Sequence, residues 1–98
     1  MKEEVSEKLT YLLNNLEYCI SMDAYHVLND SEEDPQYSAV TTANLIKCYI
    51  DVKRSLGEPT PYSTVEEYLY DICFTSEDVK LFEKKRTVEA AYYIGKQY

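Results

Sequence analysis

Tyrosine is the residue type that stands out in this chain, with eleven tyrosines, two phenylalanines and no tryptophan. Tyr11, Tyr18 and Tyr25 recur every seven residues. Because seven residues turn an α-helix through almost two complete turns, these side chains are expected to form one stripe along a helix. Tyrosine offers a large contact area with little rotamer entropy to lose, and it is enriched at protein interfaces. The spacing therefore indicates recognition of another molecule.

Carboxylates are the second group that could act in recognition. The sequence between Leu9 and Ile46 contains no lysine or arginine, and the formal net charge of the chain is −8. This half should repel nucleic acid and anionic lipid and attract basic surfaces, so we expect neither direct nucleic-acid binding nor membrane binding. Its acidic residues are Glu17, Asp23, Asp30, Glu32, Glu33 and Asp34.

Residues suited to catalysis or metal binding are sparse. His26 is the single histidine, no Cys-x-x-Cys pair exists, and two isolated glycines cannot build a phosphate-binding loop. We expect His26 to be a solvated or half-buried helical residue. The acidic 30–34 loop lacks the alternating ligands and central glycine of a calcium loop. The sequence predicts no enzyme activity, no cofactor and no metal site.

The first two helices are predicted from apolar periodicity and from capping residues. The first helix should run from about 3 to 28, and Asp23 on its inner side implies either that the helix ends or bends there or that the acid has a buried partner. The second should begin at Asp34-Pro35 and end near Leu56, where Gly57 is a left-handed stop. Its wide apolar arc predicts a central helix. The predicted inner face of the first helix consists of Val5, Leu9, Leu12, Leu13, Leu16, Cys19, Ile20 and Val27.

Two further helices complete the prediction. Ser63-x-x-Glu66 and Thr64-x-x-Glu67 are overlapping capping-box candidates for a short third helix. Its inner stripe is predicted to be Val65, Leu69, Ile72 and Cys73. The fourth helix should run from about 77 to 94. Its apolar residues lie on two sides, which leaves its packing open: one side carries Leu81, Val88 and Tyr92, the other Phe82, Ala90 and Tyr93.

These elements predict an all-α fold, a compact bundle of about four helices that forms a single domain over residues 1–98. No apolar run reaches the length of a membrane span, and the acidic first residues do not resemble a signal peptide. The expected location is the cytoplasm. Cys19, Cys48 and Cys73 are predicted to be buried free thiols.

Two explanations of the tyrosine stripe remain open at this stage. Either other helices or a second copy of the chain cover it, or it is exposed for recognition. The leading hypothesis is a small acidic, protein-binding regulator or inhibitor that docks on a basic surface of a partner protein, and that surface could be one that normally holds nucleic acid. The alternative is a structural, self-associating (homodimeric) subunit, and nucleic-acid binding through Lys80, Lys84, Lys85 and Arg86 ranks third. The predicted partner-binding residues are Tyr11, Tyr18, Tyr25, Met22, Glu17, Asp30, Glu32, Glu33 and Asp34.

Overall fold

Four helices follow one another in a computed structural model that describes residues 3–31, 36–59, 62–72 and 74–96, without the side chains of 93–96. Helix α1 spans Glu3–Asn29, α2 spans Ala39–Ser55, α3 spans Val65–Asp71 and α4 spans Ser76–Lys96. The described residues contain no strand. The predicted all-α bundle of four helices is confirmed.

Helix α1 is the longest of the four helices, and its N-terminal end extends beyond the core. Its 27 residues extend over roughly 40 Å at 1.5 Å per residue. Its buried residues begin only at Leu13. The helix continues past Asp23, which is half-buried, so it does not end there. The buried residues of α1 are Leu13, Leu16, Ile20, Ala24 and Val27.

Helix α2 begins later than predicted. Gln36, Tyr37 and Ser38 are not helical, and Ser38 is the N-cap, whose side chain accepts a hydrogen bond from the Thr41 amide at 3.0 Å. The predicted start at Asp34-Pro35 is therefore wrong, although those two residues themselves lie outside the described ranges. The predicted end is confirmed, because Leu56 caps the helix and Gly57 follows with φ +75°.

Helix α2 is central, as its wide apolar arc predicted. It packs against α1, α3 and α4. A helix surrounded on three sides must be apolar over most of its circumference. Its buried residues are Ala39, Thr42, Ala43, Ile46, Tyr49 and Ile50.

Side chains cap the first turns of α3 and α4. At the start of α3, the Glu67 amide donates to Thr64 Oγ1 at 3.2 Å, and the Glu67 carboxylate accepts from the Ser63 amide at 2.9 Å. At the start of α4, Thr75 and Asp78 form the reciprocal pair, with distances of 3.0 and 3.1 Å. Of the two overlapping boxes predicted before α3, the one centred on Thr64 caps the helix.

The two apolar sides of α4 have different environments. Val79 and Phe82 belong to the core, whereas Val88 and Tyr92 are 62% and 60% exposed. Leu81 is half-buried. The predicted side with Phe82 therefore faces inward, and Val88 and Tyr92 point outward; the Tyr93 side chain lies outside the described part.

Cys19 and Cys48 are free thiols, as predicted, but their predicted burial is wrong, because both are exposed. At 100° per residue, Cys19 lies beside the core-facing arc of α1, and Cys48 lies nearly opposite the core-facing arc of α2. Cys73 is outside the described ranges. Val5 and Leu12, predicted on the inner face of α1, are also exposed. They precede Leu13 on the part of α1 that the shorter helices do not cover.

Candidate partner-binding site

The tyrosine stripe of α1, formed by Tyr11, Tyr18 and Tyr25, lies on the outside of the bundle. The three side chains are between 60% and 71% exposed, and Met22 beside them is exposed as well. The core residues of α1 point in the opposite direction, because they sit half a helical turn away from the stripe. Of the two explanations open from the sequence, cover by this chain's own helices does not apply.

Other exposed apolar side chains widen the stripe on one flank. Leu12, Val5 and Cys19 are all exposed and lie between the stripe and the core on one side of α1. Scattered exposed apolar residues are ordinary, but a contiguous set along one helix is the pattern of an interaction surface. The stripe and this flank together occupy nearly half of the circumference of α1.

Glu17 lies on the other flank and already has a partner within the chain. Its carboxylate accepts a hydrogen bond from the Tyr49 hydroxyl at 2.6 Å, while the side chain remains exposed to solvent. Glu17 therefore joins α1 to α2 and is not part of the stripe itself.

Asp30 organises the chain after α1. Its carboxylate accepts hydrogen bonds from the backbone amides of Gln36 and Tyr37, both at 2.8 Å. The ring of Tyr37 then stacks on His26, with centroids 4.4 Å apart and planes 10° from parallel. His26 is half-buried, as expected. The remaining predicted binding residues, Glu32, Glu33 and Asp34, lie outside the described ranges.

A second group of tyrosines, which the sequence analysis did not identify, lies between α2 and α3. The rings of Tyr49, Tyr62 and Tyr68 contact one another with centroids 5.1 to 6.4 Å apart. Tyr68 meets both Tyr49 and Tyr62 edge-on, an arrangement that stabilises aromatic pairs beyond their buried area. These three residues come from three segments of the chain, so no periodicity connects them. The one available signal was the excess of tyrosine itself.

Burial and neighbouring acids keep these hydroxyl groups protonated. Burial, together with a 2.6 Å hydrogen bond to Asp71, raises the pKa of Tyr62 to about 12. Burial and the hydrogen bond to Glu17 raise the pKa of Tyr49 far above its usual value, and burial also raises that of Tyr68. Tyr49 and Tyr68 are buried and Tyr62 is half-buried, so the group packs α2, α3 and the segment before α3 against one another.

The basic residues of α4 do not form one patch. Lys85 donates from Nζ to the carbonyl oxygens of Val27 and Asp30, at 2.6 and 2.9 Å, and so neutralises the end of α1. Arg86 pairs with Glu83 at 3.3 Å. Lys84 is exposed on the outside of the helix. The three neighbours thus point to three different environments.

A cleft of about 370 Å³ lies between α2, α4 and the start of α3. Among its lining residues Lys47 and Arg86 are offset by Glu66 and Glu83, so it carries no excess of either charge. The cleft includes none of the stripe residues. In the described ranges, no group of three histidine, cysteine or acidic side chains is placed to hold a metal ion.

The fold and the site together define the class of this protein. It is a small all-α protein in which one helix exposes an aromatic face beside acidic residues. No protein family, curated protein or solved structure matches this chain. Of the helices described, none combines the length and apolarity that crossing a bilayer requires.

Proposed function

We propose that this chain is a small regulator or inhibitor that binds a basic surface of a partner protein through the tyrosine stripe of α1. The observation that carries the proposal is the exposure of Tyr11, Tyr18 and Tyr25 on a helix whose opposite side forms the core. Exposed tyrosines at this spacing do not contribute to core packing. Tyrosines are frequent among the residues that dominate binding energy at protein interfaces.

The expected mode of binding is a helix lying in a groove. Tyr11, Tyr18, Met22 and Tyr25 present anchors at positions i, i+7, i+11 and i+14 of α1, a spacing typical of this mode. The anchors extend over about 21 Å at 1.5 Å per residue. A complementary groove would have apolar pockets along a similar length.

Charge favours a basic rim around that groove. Glu4 and Glu7 are exposed next to the stripe, Lys8 is exposed on the same turn, and no lysine or arginine lies in sequence between Leu9 and Ile46. Opposite charge speeds the encounter of two proteins and excludes like-charged competitors. Lysine or arginine side chains of the partner would also form cation–π contacts with the tyrosine rings. If that surface ordinarily holds nucleic acid, the chain would mask it, with carboxylates in the place of phosphates.

The first experiment is affinity capture from the native host at low and high salt with the wild-type chain and a Tyr11→Ala/Tyr18→Ala variant. Tyr70→Ala is the matched control, because Tyr70 is also exposed but lies on α3. The captured protein is then purified and its Kd measured for each variant. We expect the stripe variant to bind at least about a hundredfold more weakly, since anchors of this type contribute 2 kcal/mol or more each. Equal binding by wild type and stripe variant would refute the proposal.

The masking role has its own test with the purified partner. The wild-type chain should displace a nucleic acid from the partner, and higher salt should weaken both interactions. If the chain binds the partner but does not displace nucleic acid from it, the partner interaction is supported and the masking role is rejected.

A further inference from the structure

Tyr37 is an exposed aromatic residue that follows α1 and belongs to neither α1 nor α2. Its ring stacks on the His26 ring, with centroids 4.4 Å apart and planes 10° from parallel. The same His26 ring meets Tyr25, the last tyrosine of the stripe, edge-on at 5.7 Å and 77°. His26 therefore connects Tyr37 to the stripe, and the aromatic surface continues beyond the end of α1.

Tyr37 extends the flank of the stripe that carries Met22. His26 is one turn after Met22 on the same side of α1, because residues four apart are neighbours on a helix surface. The Tyr37 side chain is 37% exposed, whereas His26 beneath it is half-buried. A partner that lies along the stripe would therefore meet the ring of Tyr37 before that of His26.

The carboxylate of Asp30 fixes the place of Tyr37. Gln36 and Tyr37 are not helical, so helical hydrogen bonds do not determine where they lie. Asp30 Oδ2 accepts hydrogen bonds from both of their backbone amides, each at 2.8 Å. Hydrogen bonds from backbone amides to a carboxylate are of the stronger, charge-assisted kind. They tie the chain back to the end of α1, where the Tyr37 ring meets His26.

The charges around this end of α1 favour a cation. Asp23 lies on the last two turns of α1, Asp30 follows directly after the helix, and Glu89 of α4 binds the start of α2. Lys85 is the described basic side chain that contacts this region, and two backbone carbonyl oxygens at the end of α1 already bind its ammonium. Acids thus outnumber bases here, beside an exposed ring whose face attracts cations.

We propose that Tyr37 is a further binding residue, on which a lysine or arginine side chain of the partner stacks, and that Asp30 is the residue that positions it. The inference rests on the proposed function, because it assigns one more contact with the same basic surface. Asp30 then acts through Tyr37, since its carboxylate holds the chain that carries the ring.

The positioning role is tested in the free chain by NMR at one fixed pH. The stacked Tyr37 ring should shift the His26 ring protons upfield, and Tyr37→Ala should abolish this shift. Asp30→Ala should remove most of it, whereas Asp30→Asn, whose amide oxygen still accepts hydrogen bonds, should retain most of it. Asp51→Ala removes an exposed acid from α2 and should leave the shift unchanged. An unchanged shift in Asp30→Ala would overturn the positioning role.

The binding role is tested by the Kd of each variant for the captured partner, with circular dichroism establishing that each variant is folded. Tyr37→Ala should raise the Kd roughly tenfold, and Tyr70→Ala, the exposed control on α3, should leave it unchanged. Tyr37→Phe keeps the ring and should bind like the wild type. Tyr37→Leu keeps an apolar side chain without a ring and should bind like Tyr37→Ala. Wild-type affinity in Tyr37→Leu would reject the stacked cation.

Failure of this inference and failure of the proposed function give different results. If Tyr11→Ala/Tyr18→Ala weakens binding and Tyr37→Ala does not, the stripe binds the partner and Tyr37 lies outside the site. If neither variant weakens binding, the proposed function fails and this inference fails with it. Asp30→Ala should weaken binding about as much as Tyr37→Ala, and Asp30→Asn should weaken it less. Wild-type affinity in Asp30→Ala would overturn the link between Asp30 and binding.

Discussion

Lys85 and Glu89 lie one turn apart on α4 and hold the two sides of the break between α1 and α2. The Lys85 ammonium donates to two carbonyl oxygens at the end of α1, and the Glu89 carboxylate accepts from the Ala39 amide at 2.9 Å and from the Ser38 hydroxyl. A cation thus sits at one helix C-terminus and an anion at the next helix N-terminus, as the helix dipoles favour. Helix α4 therefore fixes how α1, which carries the stripe, meets α2.

Replacing either residue should destabilise the fold. Lys85→Met and Glu89→Ala are each expected to lower the free energy of unfolding by about 1–2 kcal/mol, because half-buried helix ends lose charge-assisted hydrogen bonds. A domain of this size loses about 4–8 °C of Tm per kcal/mol. Thermal unfolding measures the effect, and Lys47→Ala, an exposed lysine on α2, should change Tm little. Unaltered Tm in both variants would mean that the two contacts contribute no stability.

The stripe should be dispensable for folding. The Tyr11→Ala/Tyr18→Ala variant is expected to change the free energy of unfolding by less than about 1 kcal/mol, because exposed side chains contribute little to stability. Phe82→Ala, at a fully buried position, should cost about 3–5 kcal/mol through the cavity it leaves. Urea unfolding of the three proteins makes the comparison. A stripe variant as unstable as Phe82→Ala would place these tyrosines in the core.

Stability should decline in alkali. The pKa of Tyr62 is raised from 10.0 to about 12, so the folded chain keeps this proton while the unfolded chain releases it. The associated stability is complete below pH 10 and diminishes as the pH rises from 10 towards 12. Tyr49 and Tyr68, whose pKa values are also raised, act in the same direction.

Urea midpoints across this interval measure the decline in stability. Tyr62→Phe removes one titrating hydroxyl, so its free energy of unfolding should fall less steeply with pH than that of the wild type. Parallel curves for the two proteins would show that the folded state does not retain this proton.

Glu17 and Tyr49 should be energetically coupled. The 2.6 Å hydrogen bond between them predicts that Glu17→Ala and Tyr49→Phe each lower the free energy of unfolding by about 1 kcal/mol. Because both changes break the same contact, the double variant should cost less than the sum of the two. A double-mutant cycle from urea unfolding gives the coupling, and strict additivity would mean that the contact contributes nothing in solution.

Local signals in the sequence were enough to predict much of this fold. The apolar period of α1, the glycine after α2 and the capping residues before α3 act within a few residues of the positions they determine. The stripe could be placed on α1 for the same reason. Its exposure follows from the fact that the opposite side of that helix supplies the core.

The features that were predicted incorrectly or missed depend on distant residues. The start of α2 is set by Ser38 together with Glu89, which is some fifty positions away, so Asp34-Pro35 was an equally good local candidate. The packing of Tyr49, Tyr62 and Tyr68 joins three segments that share no periodicity. Which side of α4 faces outward depends on the helices that pack against it. The apolar residues on both sides of α4 could not show which side that is.

Side-chain labelling of tyrosines, in the free chain and in its complex with the captured partner, tests the central claim most directly. In the free monomer, we expect Tyr11, Tyr18 and Tyr25 to react quickly and Tyr49 and Tyr68 to be protected. Adding the partner should protect the three stripe tyrosines and leave exposed Tyr70 reactive. Stripe tyrosines that are already protected in the free monomer, or that stay reactive in the complex, would contradict the assignment of this face of α1 to binding.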